Sequence, residues 1–217
     1  MSTYKKGIAF IFEGPTEKIF YLSIIEMFCK ENNAYKNKYF NAELAEFEYL
    51  LTLPNHEKII LKTNTVNSIN NITNSEAWIK SMCINRYNDI LWTIFLCYDA
   101  DSTENSIRQF NEGNWKQFKN NLNKENIKVI DFRAVYDIES LMFLDEQGIC
   151  NFLGILKIPK IRGLSGKQKM KRLFRMNNQF YHEGDRAKSF IKKLDKKTIV
   201  SKSSLPFDEL KKICFDK

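Results

Sequence analysis

The chain has 217 residues, 43% of them hydrophobic and 13% aromatic, and a formal net charge of +8. That is the size and composition of one globular domain, with or without an extension, able to bury a proper core. No apolar run reaches the roughly 18 residues of a membrane span. MSTYKKG leads straight into a strand-like run, so no signal peptide and no membrane association are expected. The five cysteines (Cys29, Cys83, Cys97, Cys150, Cys214) are widely spaced and set among apolar residues. No CxxC occurs, and His56 and His182 stand alone. Both facts argue against a disulfide framework or a zinc site and for reduced thiols in the cytoplasm.

In chain order, Ile8–Phe12 is a short run of branched and aromatic residues, the pattern of a buried strand. Gly14-Pro15-Thr16 breaks it, and Thr16 is placed as the N-cap of a helix in which Phe20, Ile24, Met27 and Phe28 recur at helical spacing. Residues 33–56 read as an insertion. Lys58–Lys62 is a second strand, followed by a mostly polar helix over about Val66–Asn85. Ile90–Cys97 is a continuous apolar run, as in a strand buried on both faces. Trp115–Leu122 reads as helix, Lys128–Ala134 as a fourth strand, and Glu139–Leu144 as helix. Beyond Gly148 only helical pieces follow, near Cys150–Leu156, Lys167–Met176 and Arg186–Leu194. Strands alternating with helices predict an α/β fold with a Rossmann-like, parallel, doubly wound sheet of about four strands over residues 1–147. Residues 148–217 are expected to form a basic, mainly helical C-terminal extension.

Charge follows the same division. Residues 1–147 carry 16 Lys/Arg against 20 Asp/Glu, and residues 148–217 carry 18 against 6. Eight basic residues (Lys157, Lys160, Arg162, Lys167, Lys169, Lys171, Arg172, Arg175) fall between 157 and 175 without one acid. Such a concentration is suited to a polyanion such as nucleic acid, although a solvated helix face has the same composition.

Two strand ends are acidic. The first apolar run ends in Glu13-Gly14, and the third ends in Asp99 and Asp101. In a parallel α/β sheet the chemistry sits at the carboxyl ends of the strands. Asp99 and Asp101, at i and i+2, point to one side of an extended chain about 6.5–7 Å apart, where they repel each other unless a cation intervenes. Mg²⁺ (or Mn²⁺) suits that role and retains waters that substrate phosphates can replace. Glu13 would complete its shell or act as general acid/base. Glu17 reads as a helix-start charge favoured by the dipole. Gly163-Leu-Ser-Gly166-Lys167 is similar to a phosphate loop, but Ile161 and Gln168 occupy positions that need Gly and Ser/Thr.

EGPTE after the first strand and YDAD after a later one resemble the TOPRIM domain shared by topoisomerases, primases and OLD-type nucleases. The Glu-Gly-x-Thr-Glu form is similar to small stand-alone TOPRIM proteins of the RloB and DUF4276 kind. A third element of those proteins, a Glu followed six residues later by Asp or His, is matched by Glu139-Ser-Leu-Met-Phe-Leu-Asp145. The resemblance spans roughly residues 6–146. It implies a metal-dependent nuclease acting on RNA such as tRNA or on DNA, with Glu13 as acid/base, Asp99 and Asp101 as metal ligands and Glu139 as an auxiliary carboxylate. The basic residue facing the phosphate is left open between Arg186, Lys188 and the 157–175 cluster. The resemblance also implies a prokaryotic anti-phage role beside an ABC/AAA-type ATPase, and is compatible with a homodimer. The alternatives are a nucleic-acid- or partner-binding subunit with a vestigial site, and a phosphotransferase on small nucleotides.

Overall fold

The computed structural model describes residues 4–42, 46–99, 114–124 and 127–216. Its strands are β1 (Lys6–Phe12), β2 (Tyr35–Asn41), β3 (Glu46–Thr52), β4 (Lys58–Thr65), β5 (Trp92–Asp99) and β6 (Lys128–Ala134). They form one sheet in the order β2-β3-β4-β1-β5-β6. β4, β1, β5 and β6 are parallel, while β2 and β3 are antiparallel. The four expected strands are therefore all present, but the sheet is mixed and six-stranded. Residues 33–56 supply the difference: they are a hairpin that extends the sheet beyond β4 and hides its strand character under Lys, Asn and Glu.

Alternation along each strand divides the core in two. Ile8, Phe10 and Phe12 of β1 face one side with Phe95 and Phe132, and Ala9 and Ile11 face the other with Ile94 and Leu96. On the first side lie α1 (Pro15–Glu31) and most of the later helices: α4 (Ile138–Met142), α5 (Glu146–Leu153), α6 (Gly166–Met176), α7 (Lys188–Lys193), α8 (Lys196–Lys202) and α9 (Phe207–Phe215). The second side is covered by residues 69–84 and by α3 (Asn114–Lys124). The long helix expected over Val66–Asn85 is instead two 3₁₀ turns, a single α-turn α2 (Glu76–Ile79) and a π-turn (Lys80–Ile84). Its Asn- and Ser-rich sequence competes for backbone hydrogen bonds: the Ser68 side chain accepts from Asn70 N–H, and the Ser75 hydroxyl donates to the Ile72 carbonyl.

The C-terminal helices share the sheet's core. Phe207 packs edge-on to Phe132 at 5.4 Å between ring centroids, and Leu210 and Cys214 are fully buried in the same cluster. Each such ring contributes about 1.5–3 kcal/mol of burial. Residue 148 falls within α5. Among the described residues, no helix is long and apolar enough to cross a membrane.

The hairpin is fixed to the sheet by charge as well as by its ladder. Lys62 of β4 forms a fully buried ion pair with Glu48 of β3. Glu48 also accepts hydrogen bonds from Asn41 Nδ2 at 2.8 Å and from the Tyr87 hydroxyl at 3.2 Å. Removing one member of such a pair leaves an uncompensated charge in the interior. Lys62→Met, which retains the packing, is therefore expected to lower unfolding free energy by about 3–5 kcal/mol in urea melts; a change under 1 kcal/mol would show that the pair does not hold the hairpin.

Candidate active site

The strand connections decide where a site can form. From β1 the chain leaves through α1 on one face toward β4, and from β5 it continues through α3 on the other face toward β6. Where neighbouring parallel strands send their connections apart, a crevice opens at their carboxyl ends. Here that crevice lies between the ends of β1 and β5, at Glu13 and Asp99.

Backbone pairing sets the two residues side by side. Glu13 N–H donates to the Cys97 carbonyl at 3.0 Å, which carries the β1–β5 ladder one residue past β1. Asp99 N–H in turn donates to Glu13 Oε2 at 3.1 Å. A cleft of about 260 Å³ opens there, lined by Glu13, Gly14, Pro15, Thr16, Glu17, Asn67, Asp99, Ile138, Glu139, Lys167 and Glu183. Of the residues expected from sequence, the structure brings together Glu13, Asp99, Glu139 and, from the basic cluster, Lys167. Asp101 lies outside the described residues. Lys157, Lys160, Arg162, Lys171, Arg172, Arg175, Arg186 and Lys188 are exposed and Lys169 is half-buried; none of these lines the cleft. Lys171 does share Glu183 with Lys167.

Glu17 is more than a helix-start charge. Gly14 is the N-cap of α1, Pro15 opens the helix, and the Glu17 carboxylate folds back over Gly14, where a Cβ would stand 2.7 Å from Glu17 Oε2. Thr16 does not cap: its Oγ1 accepts from Gly184 N–H at 2.8 Å, tying the loop after α6 to the start of α1. Glu139 is 2% exposed and accepts from the Tyr181 hydroxyl at 2.8 Å. Asp145, the other end of the expected third motif, points elsewhere. It caps α5 through Gly148 N–H at 2.9 Å and accepts from Asp195 N–H at 2.6 Å, beside a larger cleft of about 820 Å³. The helix expected over Glu139–Leu144 is present as α4, which ends at Met142, and the Asp145 cap opens α5.

Asp137 positions Lys167. Its carboxylate caps α4 through Ser140 N–H at 2.9 Å and reaches across to the start of α6, accepting from Gly166 N–H at 3.1 Å and Lys167 N–H at 2.9 Å. The two helix starts approach so closely that a Cβ on Gly166 would lie 2.3 Å from Ser140 N and 2.5 Å from Asp137 Oδ1. The phosphate-loop-like glycine thus serves helix–helix contact. Lys167 Nζ pairs with Glu183 at 2.5 Å. Burial opposes the Lys167 charge, but Glu183, Glu139 and Asp99 outweigh it and hold its pKa above the ordinary value.

Five carboxylates and one ammonium line the cleft, and the imbalance appears in the titration of the acids. Burial, then the charges of Glu17, Glu13 and Glu139, push Asp99 up to about 9 from 3.8. Burial, followed by Glu13 and Glu139, pushes Glu17 up to about 7. Burial also raises Glu139, against the Tyr181 hydrogen bond. Asp99 Oδ1 is buried and has no hydrogen-bond partner among the described residues. Among the described residues no group of three or more His, Cys, Asp or Glu side chains is arranged to hold a metal ion. The unpartnered Asp99 oxygen and the surplus of carboxylates nevertheless fit a divalent cation, which would replace the protons these acids retain.

No family model, curated protein or solved structure matches the chain. Glu17 was concealed by its place in a first helical turn, where an acid needs no further reason. Glu183 and Asn67 belong to no motif; folding alone brings them to the cleft.

A group whose folded pKa is raised binds more protons folded than unfolded, so its contribution is fully present below the unfolded value and is lost as pH rises through the folded one. In EDTA, stability should therefore fall between about pH 4 and pH 9 through Asp99 and Glu17. Asp99→Asn should raise the melting temperature at pH 8 and flatten that slope. Identical slopes for the two proteins in thermal melts would remove Asp99 as the source. Gly166→Ala should lower stability by about 1–3 kcal/mol through overpacking at α4; an unchanged melting temperature would show that the contact has room to spare.

Proposed function

We propose that this protein is a TOPRIM-type, metal-dependent nuclease that hydrolyses phosphodiester bonds of RNA or DNA. The observation that carries the reading is the pairing of Glu13 with Asp99 across neighbouring strand ends, with Asp99 Oδ1 buried and unpartnered among the described residues and Lys167 lining the same cleft. Asp99, with Asp101, would hold Mg²⁺ or Mn²⁺, and Glu13 would stand beside the ion as the acid/base. The ion, when bound, supplies Lewis-acid polarisation of the phosphate and stabilisation of the leaving oxygen.

The chain's own groups do the remainder. Asp99 N–H holds Glu13 Oε2, which fixes the Glu13 carboxylate while its other oxygen handles the proton of the attacking water or of the leaving oxygen. Glu17, titrating near neutrality, keeps a proton beside Glu13 and spares it a second full negative charge. Lys167 offers an ammonium to a non-bridging phosphate oxygen once that oxygen competes with Glu183. Glu139, hydrogen-bonded to Tyr181 in the wall, orders the cleft from behind. The exposed cations from Lys157 to Arg175, with Arg186 and Lys188, would add affinity for the polyanion without sequence preference. The family resemblance extends the proposal to an ABC/AAA-type ATPase partner in anti-phage defence, acting in the cytoplasm.

Purified protein with tRNA, single-stranded DNA and plasmid, each with and without Mg²⁺ or Mn²⁺, tests the reading. Asp99→Ala should abolish cleavage, and Glu13→Gln should keep metal binding while losing roughly 10²–10⁴-fold in rate. Full activity in Asp99→Ala would end the proposal. Lys167→Met should lower the rate, whereas Arg172→Ala with Arg175→Ala should weaken binding and flatten its salt dependence with little effect on the rate at saturation. The opposite assignment would place the phosphate contact on the exposed cluster.

A further inference from the structure

A solvent-facing aromatic pair stands on the edge hairpin. Phe40 of β2 and Phe47 of β3 are direct cross-strand partners, 55% and 53% exposed, with ring centroids 5.3 Å apart. Lys38 Nζ lies 3.8 Å from the centre of the Phe47 ring. Burying neither ring in the core makes them poor stabilisers of the fold, and β2 is the outermost strand of the sheet.

Register places the pair relative to the cleft. Tyr49 of β3 is level with Leu61 of β4, so Phe47, two residues back along the antiparallel strand, is level with Thr63, which pairs with Phe10 of β1. The rings therefore sit toward the carboxyl end of β1, three residues before Glu13. Two strand spacings separate Phe47 from β1 and three separate Phe40, about 10 Å and about 14 Å sideways. They share the face of the sheet that α1 covers, as the common side of Phe47, Tyr49 and Leu51 requires. Cations stand at both ends of that face. Lys36, level with Lys6 and so at the end away from the cleft, sits beside α1, 3.7 Å from Glu26, and within the field of the exposed Lys188. Arg186, also exposed, lies in the turn that Gly184 fastens to Thr16 at the cleft wall.

We propose that the Phe40–Phe47 face of the hairpin is a stacking platform for single-stranded nucleic acid, which leads the strand toward the cleft at the same end of the sheet. The direction of the strand rests on the nuclease reading; the platform does not. Exposed rings interleaved with cations suit unstacked bases and a phosphate backbone, and every base has a face to stack. A duplex keeps its base faces inside and gains nothing from the rings. Edge-to-edge pairing with a second copy is opposed by Lys36 and Lys38 on the edge strand itself, since lysines on an exposed strand discourage such pairing.

The test is fluorescence anisotropy in EDTA, where no metal-dependent cleavage enters, with fluorescein-labelled oligodeoxythymidine, oligouridine and a mixed-sequence DNA duplex. The wild-type protein should bind the single strands more tightly than the duplex. Phe40→Leu with Phe47→Leu, which keeps apolar bulk and removes stacking, should weaken single-strand binding about tenfold or more and leave duplex binding unchanged. Lys38→Ala should flatten the salt dependence. Equal losses for both nucleic acid forms, no loss, or no single-strand binding by the wild type would overturn the platform. So would unchanged oligonucleotide binding together with lost self-association of the double variant in sedimentation, which would assign the face to a second copy. Because these measurements need no catalysis, a protein that binds single strands and cleaves none would sink the nuclease reading and leave the platform standing.

Discussion

Like charge held out of water at the ends of β1 and β5 is the constraint on which the rest of the site depends. The ladder between these strands fixes Glu13 and Asp99 as neighbours, and neither can move away without breaking hydrogen bonds of the central sheet. Glu17 and Glu139 arrive on the first turns of two helices and add to the same field. A corner of this kind has two stable responses, retention of protons or acceptance of a cation, and the raised carboxyl groups express the first. It is an expensive arrangement for a fold that only needed to close a strand end, which is why it supports a chemical role.

The later helices give this corner its opposite wall. They are joined to the sheet by an aromatic and aliphatic core, and at the site by two polar links of long sequence range, Asp137 to the start of α6 and Thr16 to Gly184. The first link needs a glycine at 166, because any side chain would enter Asp137 and Ser140. One carboxylate thus caps its own helix and positions a lysine on another. The strongly basic composition of this region then divides by location. Lys167 is drawn to the cleft, Lys169 is half-buried outside it, and the other cations of the cluster stay at the surface, where solvent screens them.

The parallel half of the sheet was legible in the sequence because buried parallel strands are continuous apolar runs, and IAFIF and WTIFLC have few other interpretations. The hairpin was not. YKNKYFN alternates Lys and Asn with aromatics, as an edge strand does, and its partner strand carries Glu48, whose buried ion pair cannot be seen from a single segment. In the site, Glu13 and Asp99 stood out because each ends an apolar run, and Glu139 only through a motif whose second half, Asp145, has a capping task elsewhere. Lys167 was one of eight similar cations, and nothing local distinguishes it. Its place follows from Asp137, thirty residues earlier in the chain.

The bond between Thr16 Oγ1 and Gly184 N–H joins residues 168 positions apart. On the ribosome, the carboxylates of β1 and β5 emerge first, and the lysine and the turn that face them emerge much later. A contact of such range can form only once residue 184 has been synthesised, long after the first strand has left the ribosome. A partly synthesised chain therefore carries the acidic half of the cleft without its basic wall. Completion of the pocket waits on synthesis of the segment from Lys167 to Gly184.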